Sequence, residues 1–167
     1  MEAIESKGEV VAAVDEAEQG KRLPFVDPAV LMAVHEHGAR VDTYLEHLVN
    51  MANEIGGFGA SITVHVGGSM VAGTLIGGRE YFRLLSETIA GGNGDKAVTQ
   101  ALAEGASVWG EKAYCEQKQV RTTPNFIHLK DVVLFVPGGA HQVPVPLWRG
   151  RLCKVDGFVM GKVTLGR

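Results

Sequence analysis

The side chains that could take part in chemistry are few in this sequence, and they form no familiar catalytic or metal-binding motif. His35 and His37 are two residues apart, so on a helix their side chains would point in different directions and would not share a metal ion. The two cysteines, Cys115 and Cys153, lack the CxxC spacing of a metal or redox site. We therefore expect a protein without enzymatic activity, metal ion or cofactor.

The glycine-rich stretch at residues 61–78, SITVHVGGSMVAGTLIGG, has the composition of a phosphate-binding loop but lacks the lysine and serine or threonine that end one. Its apolar and polar residues alternate, which predicts two strands joined by a tight turn at Gly67–Gly68, with Val64 opposite Val71. Beyond Gly77–Gly78 the apolar residues recur at helical spacing. The first glycine pair should therefore join strand to strand, and the second should join strand to helix.

A basic and apolar segment near the C-terminus supplies the candidate interaction site. Asp156–Gly157 is a hairpin-turn signal, and a hairpin around it places Arg151 opposite Lys162. Its core face would comprise Trp148, Leu152, Val159 and Val163, and its outer face would comprise Arg149, Arg151, Cys153, Val155, Phe158, Met160 and Lys162. We expect the outer face to bind a second subunit or an acidic partner protein. A solvated polar face is the alternative interpretation of its basic residues.

The rest of the chain predicts the scaffold for these segments. Asp42 begins a helix that Gly56 closes, and Asp95 begins another. A later strand pattern slips phase near Lys130–Asp131, as a bulge in a bent strand would make it do. The fold class is therefore α+β and mainly β. We expect a small, bent, five-stranded antiparallel barrel of the Sm-like or SH3-like type, with an N-terminal helix and a helical insertion at about residues 79–118 between strands 2 and 3.

Length and charge indicate the domain organisation. A chain of 167 residues with a net charge of -3 fits one domain. Residues 1–26 are rich in acidic side chains, which predicts a mobile acidic arm, and residues 27–167 should form a single globular domain that starts with a short helix at about 27–38. The acidic balance provides no general attraction for nucleic acid. Sparse cysteines and the lack of a membrane-length apolar run favour a cytoplasmic location.

Three segments resemble the gas vesicle accessory protein GvpU family, in the same order and with similar gaps. They are residues 62–89, ITVHVGGSMVAGTLIGGREYFRLLSETI, residues 126–131, FIHLKD, and residues 148–163, WRGRLCKVDGFVMGKV. The resemblance implies a cytoplasmic, non-catalytic protein that associates with gas vesicles and influences their assembly or clustering. Its expected partners are itself, as a homo-oligomer, and gas vesicle proteins or the vesicle surface. The barrel leaves an Sm-like RNA-binding module as the alternative, although the acidic charge and the lack of a stacking aromatic pair disfavour nucleic acid.

Overall fold

The computed structural model describes residues 41–114, 123–136 and 142–163. The expected acidic arm at residues 1–26 and the expected helix at 27–38 lie outside the described residues. In chain order the described elements are α1 (Thr43–Glu54), β1 (Ala60–Val66), β2 (Ser69–Ile76), α2 (Gly78–Ala90), α3 (Lys96–Ala113), β3 (Phe126–Phe135), β4 (Gln142–Arg151), a 3-10 helix (Leu152–Lys154) and β5 (Gly157–Met160). The class is α+β, as predicted, with α1 before the sheet and the helices α2 and α3 between β2 and β3.

The five strands form one antiparallel sheet in the order β4-β3-β2-β1-β5. β1 and β2 form the predicted hairpin, with Val64 opposite Val71. The turn residues Gly67 and Gly68 have φ angles of 56° and 80°, a region that glycine enters without the steric cost of a Cβ atom. The observed pairing confirms the predicted register. The prediction was possible because the turn residues and the apolar alternation indicate the same pairing.

Strand β3 contains the predicted bulge. Its pairing with β2 shifts between Ala72 and Thr74, and Asp131 has a φ angle of 51° at this point. The extra residue on β3 bends the strand and increases its twist. Lys162, which follows β5, reaches across to β3 and donates a hydrogen bond from Nζ to the backbone oxygen of Asp131 at 3.3 Å. The sheet therefore curves here, while β4 and β5 remain its two edges.

Helix α1 packs on one face of the sheet and closes the main core. Asp42 caps the helix as predicted, since its Oδ1 accepts hydrogen bonds from the backbone of Tyr44 and Leu45 at 2.9 Å. At the other end Gly57, and not Gly56 as predicted, has the positive φ angle of 75°. The buried core residues are Leu45, Leu48, Val49, Ala52, Ile62, Val64, Val71, Leu75, Ile127, Leu129, Val132 and Leu152.

Helices α2 and α3 cover one end of the opposite face of the sheet. The second glycine pair starts α2 as predicted, and the backbone N–H of Gly78 donates to Asn53 Oδ1 of α1 at 2.8 Å. Asp95 caps α3, also as predicted. Tyr81 and Phe82 of α2 are buried together with Ile76 in a second apolar cluster. The helix pair thus brings aromatic side chains over β3 and β4.

The predicted hairpin around Asp156–Gly157 is wrong. β4 pairs with β3, and β5 pairs with β1, so these two strands lie at opposite edges of the sheet. The 3-10 helix carries the chain between them. Asp156 instead holds the first hairpin turn, because its Oδ2 accepts a hydrogen bond from the backbone N–H of Gly67 at 2.7 Å. An aspartate–glycine pair indicates a change of chain direction but does not specify which strand the next segment joins.

Candidate interaction surfaces

The three basic residues of the predicted outer face have different surroundings. Arg151 lies opposite Phe126 of β3, so the register that placed it opposite Lys162 is wrong. Arg151 and Lys162 are both exposed, and Lys162 also contacts the backbone at Asp131. Arg149 lies in an aromatic cluster. The predicted row of like charges required β4 to pair with β5. Since these strands do not pair, the row does not form.

Arg149 is held by stacking and by a hydrogen bond. Its guanidinium carbon lies 3.5 Å from the centre of the Phe126 ring and 5.6 Å from that of Phe82, which is cation–π geometry. Its Nε lies 3.3 Å from Nε2 of His128 and donates to it. The side chain thus ties β4 to β3 and α2. The residue is nevertheless exposed, so it makes these contacts at the protein surface.

His128 is the centre of this cluster and is fully buried. Its ring lies 4.7 Å from that of Tyr81 and 5.5 Å from that of Tyr114, measured between centroids. Because Nε2 accepts from Arg149, the ring proton belongs on Nδ1, and Nδ1 has no hydrogen-bond partner in the described part of the chain. Burial, reinforced by the charge of Arg149, lowers the pKa of His128 to about 3. The imidazole is therefore neutral at neutral pH.

Sequence reasoning missed this cluster, although a signal for it exists. Residues 126–130 alternate, so His128 and Lys130 must share the face opposite Ile127 and Leu129. A helical insertion between two strands has to pack on one face of the sheet. Combining these two inferences would have placed His128 under the insertion.

The predicted apolar group divides between core and surface. Val155 and Phe158 pack against the main core, and the Phe158 ring stacks on that of Tyr44 at 6.2 Å between centroids. Met160 is 53% exposed, and Val159, which was predicted to face the core, is 45% exposed. Phe158 and Val159 are therefore on the opposite sides from those predicted, because β5 pairs with β1 and not with β4. Cys153 is an exposed free thiol.

The two edges of the sheet differ in what they offer to another strand. β4 has proline at positions 144 and 146, which lack the backbone N–H that a new strand would need. β5 is four residues long and presents the exposed side chains of Val159 and Met160. We call Tyr44, Val159 and Met160 the β5 edge surface. Met160 is the member of this surface that also belongs to the predicted outer face.

A surface cavity of about 260 Å³ lies at the start of α2. Its lining includes Arg79, Arg83 and Lys130, but each basic group lies near a carboxylate. Arg79 Nη2 lies 2.6 Å from Glu111 Oε2. Glu80 has two basic neighbours: Arg83 Nε lies 2.9 Å from its Oε2, and Lys130 Nζ lies 3.8 Å from its Oε1. The arrangement is charge-balanced and does not assemble a nucleophile with a base. Among the described residues, no group of three or more His, Cys, Asp or Glu side chains is placed to hold a metal ion.

Comparisons with known proteins give the family of the chain. In the part of the chain that the structure describes, no helix is both long and apolar enough to span a membrane. Searches of curated proteins and of solved structures found no match. A family model described as gas vesicle protein GvpU-like matches residues 42–163, which takes in the described helices and strands. The match gives no support to the RNA-binding alternative, and it confirms the resemblance: the chain belongs to the GvpU-like family of gas vesicle proteins.

Proposed function

We propose that this protein is a non-catalytic gas vesicle accessory protein. It associates with gas vesicles or with their proteins, and it influences vesicle assembly or clustering through self-association. Membership of the GvpU-like family supports the connection to vesicles. The observation that carries self-association is the β5 edge surface, where apolar side chains are exposed beside an unpaired strand edge in the described residues.

The arrangement of the sheet supports a bent, Sm-like barrel that associates through its edges. β1 lies between β2 and β5, and the bulge at Asp131 together with the Lys162 contact indicates strong curvature. Contact of the β5 edge of one copy with the β4 edge of another would be heterologous, so repetition gives a ring or a filament. The prolines of β4 would restrict pairing to residues 147–151 of that strand.

Vesicle association gives the direct test of this function. Val159→Lys with Met160→Lys places two charges on the β5 edge surface without altering the buried core, and Gln100→Lys adds charge at an exposed helical position as the control. We expect the double variant to sediment less with purified vesicles and to cluster them less by light scattering. Unchanged sedimentation and clustering in a folded double variant would contradict the proposed function.

An acidic partner is the complement that we propose for the exposed basic residues. Arg151 and Lys162 are both exposed, and the acidic segment at residues 1–26 of a neighbouring copy provides suitable carboxylates. Exposed charges are screened over about 8 Å at physiological ionic strength. Association should therefore weaken as salt rises, and Arg151→Glu with Lys162→Glu should remove most of that salt dependence. The same salt dependence in this variant and in the parent protein would contradict the contact.

A further inference from the structure

One face of α3 is apolar and lies in solvent. Val98, Leu102, Val108 and Trp109 are 56%, 58%, 51% and 61% exposed. The opposite side of the helix packs on α2 through Ala103 and Gly110, which are buried. The outer face of α3, as we call it, comprises Val98, Ala101, Leu102, Gly105, Val108 and Trp109. An apolar patch of this kind on a folded protein usually marks an interaction surface.

Gly105 lies in the middle of this face, and no packing contact among the described residues requires a glycine there. A Cβ atom added there would meet nothing within 4 Å, and the position has no left-handed backbone conformation. Glycine in a helix interior is less favourable than alanine, so packing within the described part of the chain does not account for it. The missing side chain would let another backbone approach closely at this point.

We infer that the outer face of α3 binds the same face of a second copy, with the two helices antiparallel and crossing at Gly105. Val98, Leu102, Gly105 and Trp109 are spaced by four, three and four residues, the spacing of a two-helix seam. Positions equally distant from Gly105 then meet, so that Leu102 lies against the partner's Val108 and Trp109. A twofold contact of this kind needs only one self-complementary face.

Charge selects the antiparallel arrangement. Lys112, near the end of α3, lies opposite the partner's Val98, about one helical turn from the partner's Asp95, so opposite charges come near each other at both ends of the pair. A parallel arrangement would instead bring Lys112 close to the partner's Lys112. Glu104 and Glu111 are exposed and lie to the side of the apolar stripe at helical spacing. The apolar seam of the antiparallel pair therefore contains no buried carboxylate.

The size of the contact makes it concentration dependent. α3 has 18 residues and is therefore about 27 Å long. One helix face buries less than the roughly 800 Å² per partner of a standard stable interface. The dimer should form reversibly in solution and should be favoured where many copies are held together. This interface is separate from the β5 edge surface and does not depend on it.

Analytical ultracentrifugation of the full chain without vesicles tests the contact. Leu102→Glu should weaken the dimer by at least about tenfold, because the carboxylate would be buried in the seam. Ser107→Glu, on the polar side of the same helix, should leave the dimer unchanged. Gly105→Leu should raise the melting temperature of the monomer and yet weaken the dimer, since it improves helix propensity while blocking the close approach. Dimerisation that survives both Leu102→Glu and Gly105→Leu would overturn the inference.

Cysteine cross-linking tests the orientation. In a chain with Cys115→Ser and Cys153→Ser, Gly105→Cys should form a disulfide-linked dimer. Val98→Cys should not, because the two copies of position 98 lie about 20 Å apart along antiparallel helices. Cross-linking of Val98→Cys, or none at Gly105→Cys, would overturn the antiparallel pair.

Three further results separate this interface from other occupants and from the proposed function. Val159→Lys with Met160→Lys should leave cross-linking at Gly105→Cys intact, even if it abolishes vesicle association. A lower melting temperature of monomeric Leu102→Glu would show that another part of the same chain covers the face. Loss of vesicle binding by Leu102→Glu with unchanged dimerisation would show a vesicle protein there. Either of these last two results overturns the second copy as the occupant.

Discussion

At His128, one buried ring holds several side chains in place while remaining uncharged. Its Nε2 accepts from Arg149, and the Tyr114 hydroxyl lies 3.5 Å from the same atom. Burial disfavours the charged ring, and the guanidinium beside it adds repulsion, so the pKa of His128 falls to about 3. An unfolded chain would titrate this histidine near its ordinary value of 6.5. Folding therefore releases a proton at intermediate pH.

The first prediction concerns the pH dependence of stability. Between the two pKa values the unfolded state binds one more proton than the folded state, so acid favours unfolding. Relative to His128→Phe, the parent protein should lose about 1.4 kcal/mol of unfolding free energy per pH unit as the pH falls from about 6 to 4. Urea denaturation over this range measures the difference. Tyr114→Phe, which keeps the histidine, should follow the parent profile, and parallel profiles for parent and His128→Phe would contradict the prediction.

Thr63 fastens the chain that follows β5. Its hydroxyl donates to the backbone oxygen of Gly161 at 2.9 Å and accepts from the backbone N–H of Val163 at 3.0 Å. The residue is fully buried, so each lost bond would leave a poorly hydrated backbone group.

Replacing Thr63 with valine should therefore be costly. Thr63→Val keeps the shape of the side chain but removes both hydrogen bonds, and we expect a loss of about 1–3 kcal/mol in unfolding free energy. Chemical denaturation measures this loss. Thr74→Val, at a half-buried position of the adjacent strand, is the matched control and should change the unfolding free energy much less. Equal effects of the two substitutions would count against a fastening role for the Thr63 hydroxyl.

At the scale of elements, the two glycines of α3 have opposite packing environments. A Cβ atom at Gly110 would lie 2.6 Å from Cβ of Phe82, whereas one at Gly105 would meet nothing. Gly110 is therefore required for the close packing of α2 and α3, and Gly105 is not.

Alanine at these two positions should have opposite effects. Gly110→Ala should lower the unfolding free energy by about 1–3 kcal/mol, because the helices must separate. Gly105→Ala should raise it by up to about 1 kcal/mol through helix propensity. Thermal unfolding at low protein concentration compares them without the contribution of self-association. A stabilised Gly110→Ala variant would show that the helix pair is more loosely packed than the structure indicates.

How far the elements could be predicted depends on whether the signal was local. The hairpin at Gly67–Gly68 was predicted to the residue because its turn and both strands are contiguous in the chain. The bulge near Asp131 could be predicted because it interrupts the alternation of apolar and polar residues along β3. The strand that pairs with β5 could not be predicted from the residues around Asp156–Gly157. β5 pairs with β1, which lies much earlier in the chain, and no local pattern indicates that pairing.

The candidate site was predictable only in part, for the same reason. Met160 and Arg151 are exposed as expected, but Phe158 packs inward because β5 pairs with β1 and not with β4. Arg149 is exposed, as a solvated or partner-binding charge would be, but it also contacts aromatic rings. Its aromatic neighbours come from α2 and β3, and no pattern within residues 148–163 indicates that contact.

For the whole molecule, two separate surfaces would give each copy more than one way to bind others. The outer face of α3 makes a contact that is complete with two subunits, while an edge-to-edge contact of the sheet repeats indefinitely or closes into a ring. Together they would link rings or filaments into a network. Such a network would fit the role in vesicle clustering that we propose.

Removing the surfaces separately should therefore give different assemblies. We expect Leu102→Glu to leave edge-linked species, Val159→Lys with Met160→Lys to leave dimers, and the three substitutions together to give monomers. Size-exclusion chromatography with light scattering distinguishes these states. A combined variant that still associates would point to a third surface, and a single variant that is already monomeric would show that the two contacts are interdependent.

The pairing of β5 with β1 also has a consequence for the nascent chain during translation. Thr63 and its acceptor Gly161 are 98 positions apart, and a ribosome adds about 5–20 residues per second. β1 therefore emerges about 5–20 s before the strand that completes it, although β2 pairs with its other side at once. Throughout that interval the open side of β1 is available to neighbouring nascent chains on the same message. With the self-association that we propose for the mature protein, translation is thus the period in which strand exchange between copies has to be avoided.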